Sequence, residues 1–280
     1  MNIMALENKF YLEKFKPEVL REYDIRGIVN QDLSINTAYT IGRTFGHIVC
    51  TQFKEKTIVV GYDGRLSSPD LHQGLCKGLI ECGIAVKSIG VCPTPMLYFA
   101  HYHLSTNAAI MVTGSHNPSQ YNGFKLVLNK KSFFAENIQL LQTLVDENDL
   151  SQGQGTFEKI NLKEDYSNRN LQNITFAKKL KVAWDIGNGS VGSIFNFIKS
   201  KMNSIDHIII NEEVDGTFPN HHPDPTVPEN MIQLIKTVKE NNCDIGLAFD
   251  GDGDRLGVID DLGNIIWADQ YMLLLVKEIS

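Results

Sequence analysis

Three observations predict an α/β chain of two consecutive domains, with mostly parallel mixed sheets and the start of a third domain. Apolar strand-like runs alternate with helix-period segments from residue 57 onward, the pattern of βαβ units. The alternation pauses at a Gly- and Gln-rich stretch, 151–156, then resumes in the same rhythm. The closing segment, 267–280, opens an apolar helical pattern with no C-cap glycine after it. The expected boundaries are 1–160, 161–264 and 265–280, with the last piece the cut-short opening of a third domain.

The residues before 57 read as a polar lead-in. TIVVGY (57–62) is a buried-strand run, and PDLHQGLCKGLIECG (69–83) carries apolar residues at helical spacing and ends on Gly83. IAVKSIG (84–90) reads as a strand, PMLYFAHYHL (95–104) as a helix, and NAAIMVT (107–113) as a strand. KLVLN (125–129) and the helical AENIQLLQTLVDEN (135–148) follow. After the pause come strand KVAWDI (181–186), helix VGSIFNFIKSKM (191–202), strand IDHIIIN (205–211), helix ENMIQLIKTVKEN (229–241) and strand DIGLAF (244–249).

Composition sets outer bounds. In 280 residues, 42% hydrophobic and 21% charged, there is ample apolar material for packed cores. A formal charge of -7 argues against a dedicated nucleic-acid binder, yet local arginines can still hold an anionic substrate. Five scattered cysteines without a C-x-x-C pair fit reduced thiols in the cytoplasm. The N-terminus carries acids and lysines where a signal peptide would be apolar, and the run 272–276 is too short to cross a bilayer. A soluble, cytoplasmic protein with neither nucleic-acid nor membrane partners is expected.

The most informative string is Asp250-Gly251-Asp252-Gly253-Asp254-Arg255, on a loop between two strands. Carboxylates at every second residue of a Gly-rich loop can converge on one point, where they repel unless protons or a cation intervene. A hard divalent ion with oxygen ligands meets that need, and Mg²⁺ suits a site that a phosphate oxygen completes. An EF-hand loop is the nearest competitor. It would need Gly where Arg255 stands and Glu where Asp261 stands, and helices instead of strands on its flanks.

Thr113-Gly114-Ser115-His116-Asn117-Pro118 also follows a strand directly. A hydrolase pair is not expected, because adjacent side chains rarely face one another and G-x-S-x-G is absent. On this string alone a structural turn and a functional serine are both open. Beside a cation loop, a phosphorylatable Ser115 is the sharper reading. Gly187 to Gly192 spell G-x-G-x-x-G, and Glu212 follows at the distance of a ribose-binding acid. A tight strand-to-helix turn explains that string better than a dinucleotide, which would leave the three aspartates without a role. Gly61-Tyr62-Asp63-Gly64-Arg65 and Pro93-Thr94-Pro95 are smaller signals; in His221-His222-Pro223-Asp224-Pro225, structural histidines are expected over ligands.

Taken in order, REYDIRG (21–27), GYDGR, PTP, TGSHNP, YNGFK (121–125), FPNHHPDP (218–225) and DGDGDR resemble the α-D-phosphohexomutases, most of all their bacterial phosphomannomutase/phosphoglucomutase branch. The resemblance runs from about residue 20 to the end. It implies interconversion of hexose 1-phosphate and hexose 6-phosphate, of mannose or glucose, through a phosphoserine and a bound hexose 1,6-bisphosphate that also serves as activator. Ser115 matches the family's catalytic serine, and Asp250, Asp252 and Asp254 match its Mg²⁺ ligands, with an oxygen on Ser115 completing the set. Lys125 matches a proton-transfer lysine, Arg255 the arginine beside the metal, and His116 a supporting residue of the serine loop. Tyr23, Arg26 and Asn117 match substrate-binding positions.

The resemblance also implies four domains, so domains 3 and 4, with their sugar- and phosphate-gripping loops, are expected to be missing here and the activity impaired. Two other functions compete: a non-catalytic fragment that binds Mg²⁺ and sugar phosphate, and a dinucleotide-dependent oxidoreductase. An apolar face left by the missing domains is expected to favour self-association.

Overall fold

A computed structural model describes residues 10–279. The chain forms two compact units. One runs to Gly114 and resumes over Pro118–Leu162; the other takes Ser115–Asn117 and everything from Lys163 onward.

In the first unit, β1 (Ile25–Ile28) precedes a long helix, α1 (Ile35–Gln52), and then β2 (Thr57–Tyr62), α2 (Ser68–Glu81), β3 (Ala85–Val91), α3 (Thr94–His103) and β4 (Ala108–Val112) alternate. β5 (Tyr121–Leu128), the short β6 (Lys131–Ser132), α4 (Glu136–Glu147) and β7 (Thr156–Lys159) complete it. The sheet runs β1-β5-β4-β2-β3-β7, with β6 beside β5. β4, β2, β3 and β7 are parallel, whereas β5 is antiparallel to both β4 and β1. Every residue of β4, Ala-Ala-Ile-Met-Val, is buried, as a central strand covered on both faces requires.

The stretch read as a polar lead-in holds α1, and the reason is physical. Its inward face carries Thr37, Thr40, Arg43 and Thr44 among the apolar residues, so the helical stripe is masked. Thr40 and Thr44 turn their hydroxyls back onto Asn36 and Thr40 carbonyls, and the Arg43 guanidinium donates to the Ser151 carbonyl. Ser34 caps the helix in a capping box with Thr37, and the Glu13 carboxylate accepts from both hydroxyls. The Gly- and Gln-rich pause likewise runs into a strand: β7 pairs with β3 from Thr156 to Lys159, and three of its four residues are exposed.

α1 and α2 cross at glycines. A Cβ on Gly42 would lie 2.3 Å from the Leu75 carbonyl oxygen, and one on Gly78 would lie 2.3 Å from that of Tyr39. No side chain fits, so the two backbones touch.

The second unit contains α5 (Lys163–Leu171), β8 (Leu180–Asp185), α6 (Gly192–Lys199), β9 (Ile205–Ile210), α7 (Ile232–Asn241), β10 (Ile245–Phe249), β11 (Leu256–Asp260), β12 (Ile265–Ile266) and α8 (Ala268–Ile279). Its sheet order is β12-β11-β10-β8-β9, parallel across β10-β8-β9 and antiparallel from β10 outward. Alternate β8 residues face opposite layers: Val182 and Trp184 pack with Phe195 of α6, Ala183 with Leu234 and Val238 of α7. On α8, Leu273 and Leu274 are exposed, and the Tyr271 hydroxyl donates to the Leu256 carbonyl. Among the described residues no helix is long and apolar enough to cross a membrane.

Replacing Gly78 with Ala should therefore lower stability by about 1–3 kcal/mol through overpacking. Denaturant unfolding checks this: the midpoint falls while the slope stays unchanged.

Candidate functional site

The residues from Asp250 to Arg255 link β10 to β11, which pair antiparallel with Phe249 opposite Leu256. The triple-Asp loop is thus the tip of a hairpin, which disposes of an EF-hand. The Asp250 carboxylate folds back and accepts from the backbone N–H groups of Asp254 and Arg255, both at 3.0 Å. One carboxylate oxygen each from Asp250, Asp252 and Asp254 lies within 4.8 Å of the other two. Asp250 and Asp252 are fully buried, and Asp254 is exposed. Burial, then the charges of Asp252 and Asp254, push the Asp250 carboxyl up to about 8, against the pull of the Arg255 N–H. Three carboxylates gathered this closely, offering only oxygen, fit a hard divalent cation.

The loop is hung from a neighbour. The Gly251 carbonyl accepts from Ser190 twice, from its backbone N–H at 3.0 Å and its hydroxyl at 3.2 Å. A Cβ on Gly189 would sit 2.8 Å from that same carbonyl oxygen. The G-x-G-x-x-G string therefore serves close approach to the aspartate loop, and Glu212 is paired with Lys199 at 2.8 Å. Behind it, the His221 ring donates from Nε2 to the buried Asp185 carboxylate at 2.8 Å, with Nδ1 2.9 Å from the His222 carbonyl oxygen. Burial opposes charge on this ring, but Asp185 outweighs it and holds His221 above the usual imidazole range. The expectation of structural histidines fits His221, which anchors the loop carrying Pro223 against Gly251.

Ser115 belongs to the same unit as these acids. Its Oγ is 3.4 Å from Asp250 Oδ2, a long hydrogen bond in which the hydroxyl donates, and its backbone carbonyl lies against Gly251. Ser115 is buried and adopts a φ of 51°, the left-handed region, at a cost of about 1–2 kcal/mol for a residue with a Cβ. That turn overrides the expectation that neighbouring side chains do not meet: Ser115 Oγ and His116 Nδ1 are 3.3 Å apart. The nearby Asp224 carboxyl is drawn below its usual range; burial opposes this, but Thr226 bonds it through N–H and hydroxyl, and the charges of His116 and Arg255 add to the effect.

The remaining predicted residues are dispersed by element. Arg255 opens onto β11 at the end of the aspartate tip, and Asn117 closes the serine segment. Lys125, in β5 of the first unit, is opposite Met111 in β4. Arg26 is in β1, paired with Gly123 and salt-bridged to Asp24, and Tyr23 just before it is exposed. Two residues passed over as a minor signal, Asp63 and Arg65, are fully buried in the first unit and hydrogen-bonded to the chain on both sides of the serine segment. Their signal was the Asp-Gly-Arg string directly after a buried strand.

Comparison with known proteins agrees with this organisation. Residues 17–151 match the family model for phosphoglucomutase/phosphomannomutase alpha/beta/alpha domain I, and residues 163–263 match domain II. The phosphomannomutase/phosphoglucomutase of Pseudomonas aeruginosa is 44% identical over 262 residues, 93% of this chain and 56% of the relative. The phosphoglucomutase of Neisseria meningitidis serogroup A is 39% identical over 269 residues, 94% of this chain and 57% of the relative. A crystal structure of a phosphoglucomutase/phosphomannomutase family protein from Burkholderia thailandensis superposes with a TM-score of 0.90 at 38% identity, covering 95% of this chain and 59% of that one. The chain thus spans a little over half the length of the relatives it matches.

The acid cluster carries a pH signature with a definite sign. An aspartate keeps its proton to about 8 in the folded chain but loses it near 3.8 when unfolded, so the cation-free folded state is favoured below 3.8 and loses stability as pH rises toward 8. Asp250→Asn should flatten this fall while keeping an oxygen for the two backbone N–H groups. Melting temperatures of both proteins in chelator across that range check it.

Proposed function

Because the chain belongs to the phosphoglucomutase/phosphomannomutase family, of which it carries domains I and II, we propose that it performs the phosphoryl-transfer half of hexose phosphate isomerisation. Hexose 1-phosphate and hexose 6-phosphate, of mannose or glucose, would be the substrates, with hexose 1,6-bisphosphate as bound intermediate and activator. The relatives' names, phosphomannomutase and phosphoglucomutase, support that substrate class. Five free cysteines suit a reducing, cytoplasmic setting.

The observation that carries this reading is the 3.4 Å separation of a buried serine hydroxyl from one member of a three-carboxylate cluster. Phosphoryl transfer asks for a positioned oxygen nucleophile and for compensation of the charge on the phosphoryl oxygens. Ser115 Oγ carries the phosphoryl group: its bond to phosphorus breaks as the free hydroxyl of hexose 1-phosphate, giving up its proton, bonds to that phosphorus and forms the 1,6-bisphosphate. Once the bisphosphate has turned around, Ser115 Oγ is the nucleophile, and its bond to the other phosphorus forms as that phosphorus leaves the sugar oxygen, releasing the 6-phosphate. The serine proton leaves to a base, and the sugar oxygen takes one up. His116, whose Nδ1 is 3.3 Å from Ser115 Oγ, is suited to support the loop and that proton's exit.

Asp250, Asp252 and Asp254 would hold Mg²⁺ together with an oxygen on Ser115. The ion supplies the positive charge that offsets phosphoryl and carboxylates together. Asp250, which resists ionisation alone, then functions as an anion. Lys125 is assigned to proton transfer at the sugar hydroxyl and Arg255 to the charge on the phosphoryl group. Tyr23, Arg26 and Asn117 are assigned to substrate binding.

Incubating the chain with glucose 1,6-bisphosphate and Mg²⁺, followed by intact-mass and peptide analysis, tests this. One phosphoryl group on Ser115, absent in Ser115→Ala and reduced at least about 100-fold in Asp252→Asn, is expected. A chain that is folded yet takes up no phosphoryl group sinks the reading.

A further inference from the structure

Beneath the serine loop is a buried ion pair that the phosphoryl-transfer scheme leaves without a task. Asp63 follows β2, and Arg65 comes two residues later; each is 1% exposed. Asp63 Oδ2 accepts three hydrogen bonds: from Arg65 Nε at 3.1 Å, from the Thr113 hydroxyl at 2.8 Å and from the Gly114 N–H at 3.1 Å. Asp63 Oδ1 accepts from the Arg65 N–H and the Ser68 hydroxyl, and the latter in turn accepts from Asn122. The far end of the arginine reaches the other side of the loop, with its guanidinium donating to the Pro118 carbonyl at 2.6 Å and the Tyr121 carbonyl at 3.1 Å.

The pair thus grips the chain immediately before Ser115 and again just beyond Asn117. Between those two grips the backbone passes through the left-handed turn at Ser115, a conformation its side chain disfavours. Such a turn persists only if its surroundings over-determine it, and the surroundings here are fixed on both sides by one ion pair. Gly114 is part of the same fit: a Cβ there would lie 2.5 Å from the guanidinium carbon of Arg65. A purely structural buried ion pair is replaceable by apolar residues of similar size without loss of fold. This one differs in that, apart from the Ser68 hydroxyl, its remaining side-chain hydrogen bonds go to the two stems of a single loop.

We propose that Asp63 and Arg65 are positioning residues that hold Ser115 in its left-handed, reaction-ready turn, with Thr113 as the third member of the clamp. The claim rests on Ser115 being the phosphoryl acceptor, and the clamp sets how fast that serine is phosphorylated without touching the sugar.

The test uses the whole chain as three variants: Asp63→Leu with Arg65→Met, which removes both charges together; Thr113→Val, which keeps the buried pair and loses one bond; and Thr113→Ser, which restores the hydroxyl. Crystal structures report the Ser115 turn, and mass spectrometry with glucose 1,6-bisphosphate and Mg²⁺ reports the rate of Ser115 phosphorylation at saturating donor. The double variant is expected to lose the left-handed turn and about 100-fold in rate, Thr113→Val about 10-fold, with the half-saturating donor concentration unchanged. Thr113→Ser should return to within about 3-fold of the original rate. A double variant whose Ser115 keeps its left-handed turn overturns the clamp, and so does one phosphorylated at the original rate. If the double variant does not fold, Thr113→Val against Thr113→Ser decides by the same rate criterion. If the unaltered chain accepts no phosphoryl group, phosphoryl transfer fails as its function, and the Ser115 geometry alone then judges the clamp.

Discussion

Three carboxylates crowded at one hairpin tip, two of them out of water, are the constraint on which the rest of this site depends. Anions so close repel one another, and burial removes the solvent that would screen them. Asp250 shows the outcome in the chain alone: it keeps its proton far above the usual carboxylate range even though two backbone N–H groups point at it. The cluster is stable as a set of anions only in the company of positive charge. The features around it either pin the tip, as Ser190 and Gly189 do, or bring a serine hydroxyl to its edge, as the serine segment does.

The pinning is done by main chain. Ser190 holds Gly251 by its carbonyl, and the glycines at 189 and 251 let backbones approach where side chains would intrude. Backbone contacts of this kind cannot be adjusted by rotating a side chain, which suits a cluster whose oxygens must stay a few ångströms apart. The His221–Asp185 bond extends the same logic one layer outward, fixing the proline-rich loop with a charged hydrogen bond between two side chains largely removed from water.

What the sequence revealed and what it hid divide along physical lines. Strands β2, β4, β8 and β10 are apolar runs with few polar interruptions, and their ends announce themselves with glycine and aspartate. The aspartate tip was readable because alternating acids in a glycine-rich loop have few stable uses. Helix α1 was not, since its buried face sets threonines and Arg43, hydrogen-bonded to backbone carbonyls, among the apolar residues and so breaks the apolar stripe. β7 was hidden because an exposed edge strand is paired by backbone groups that no side chain betrays. The meeting of Ser115 with His116 depends on a single backbone dihedral, and the Asp63–Arg65 grip on contacts between residues some 50 positions apart; neither leaves a periodic trace.

One consequence follows from the aspartate tip being a hairpin. In open α/β sheets the loop after a central strand commonly feeds a helix, whose amino end offers a ring of N–H donors and a partial positive charge. Here β10 turns directly into β11. The loop lacks a helix amino end of its own to soften its negative potential, and its Asp254 and Arg255 N–H groups are committed to the Asp250 carboxylate. This end of the sheet is therefore weighted toward negative charge, and the positive charge beside it comes from side chains such as Arg255 rather than from a helix amino end.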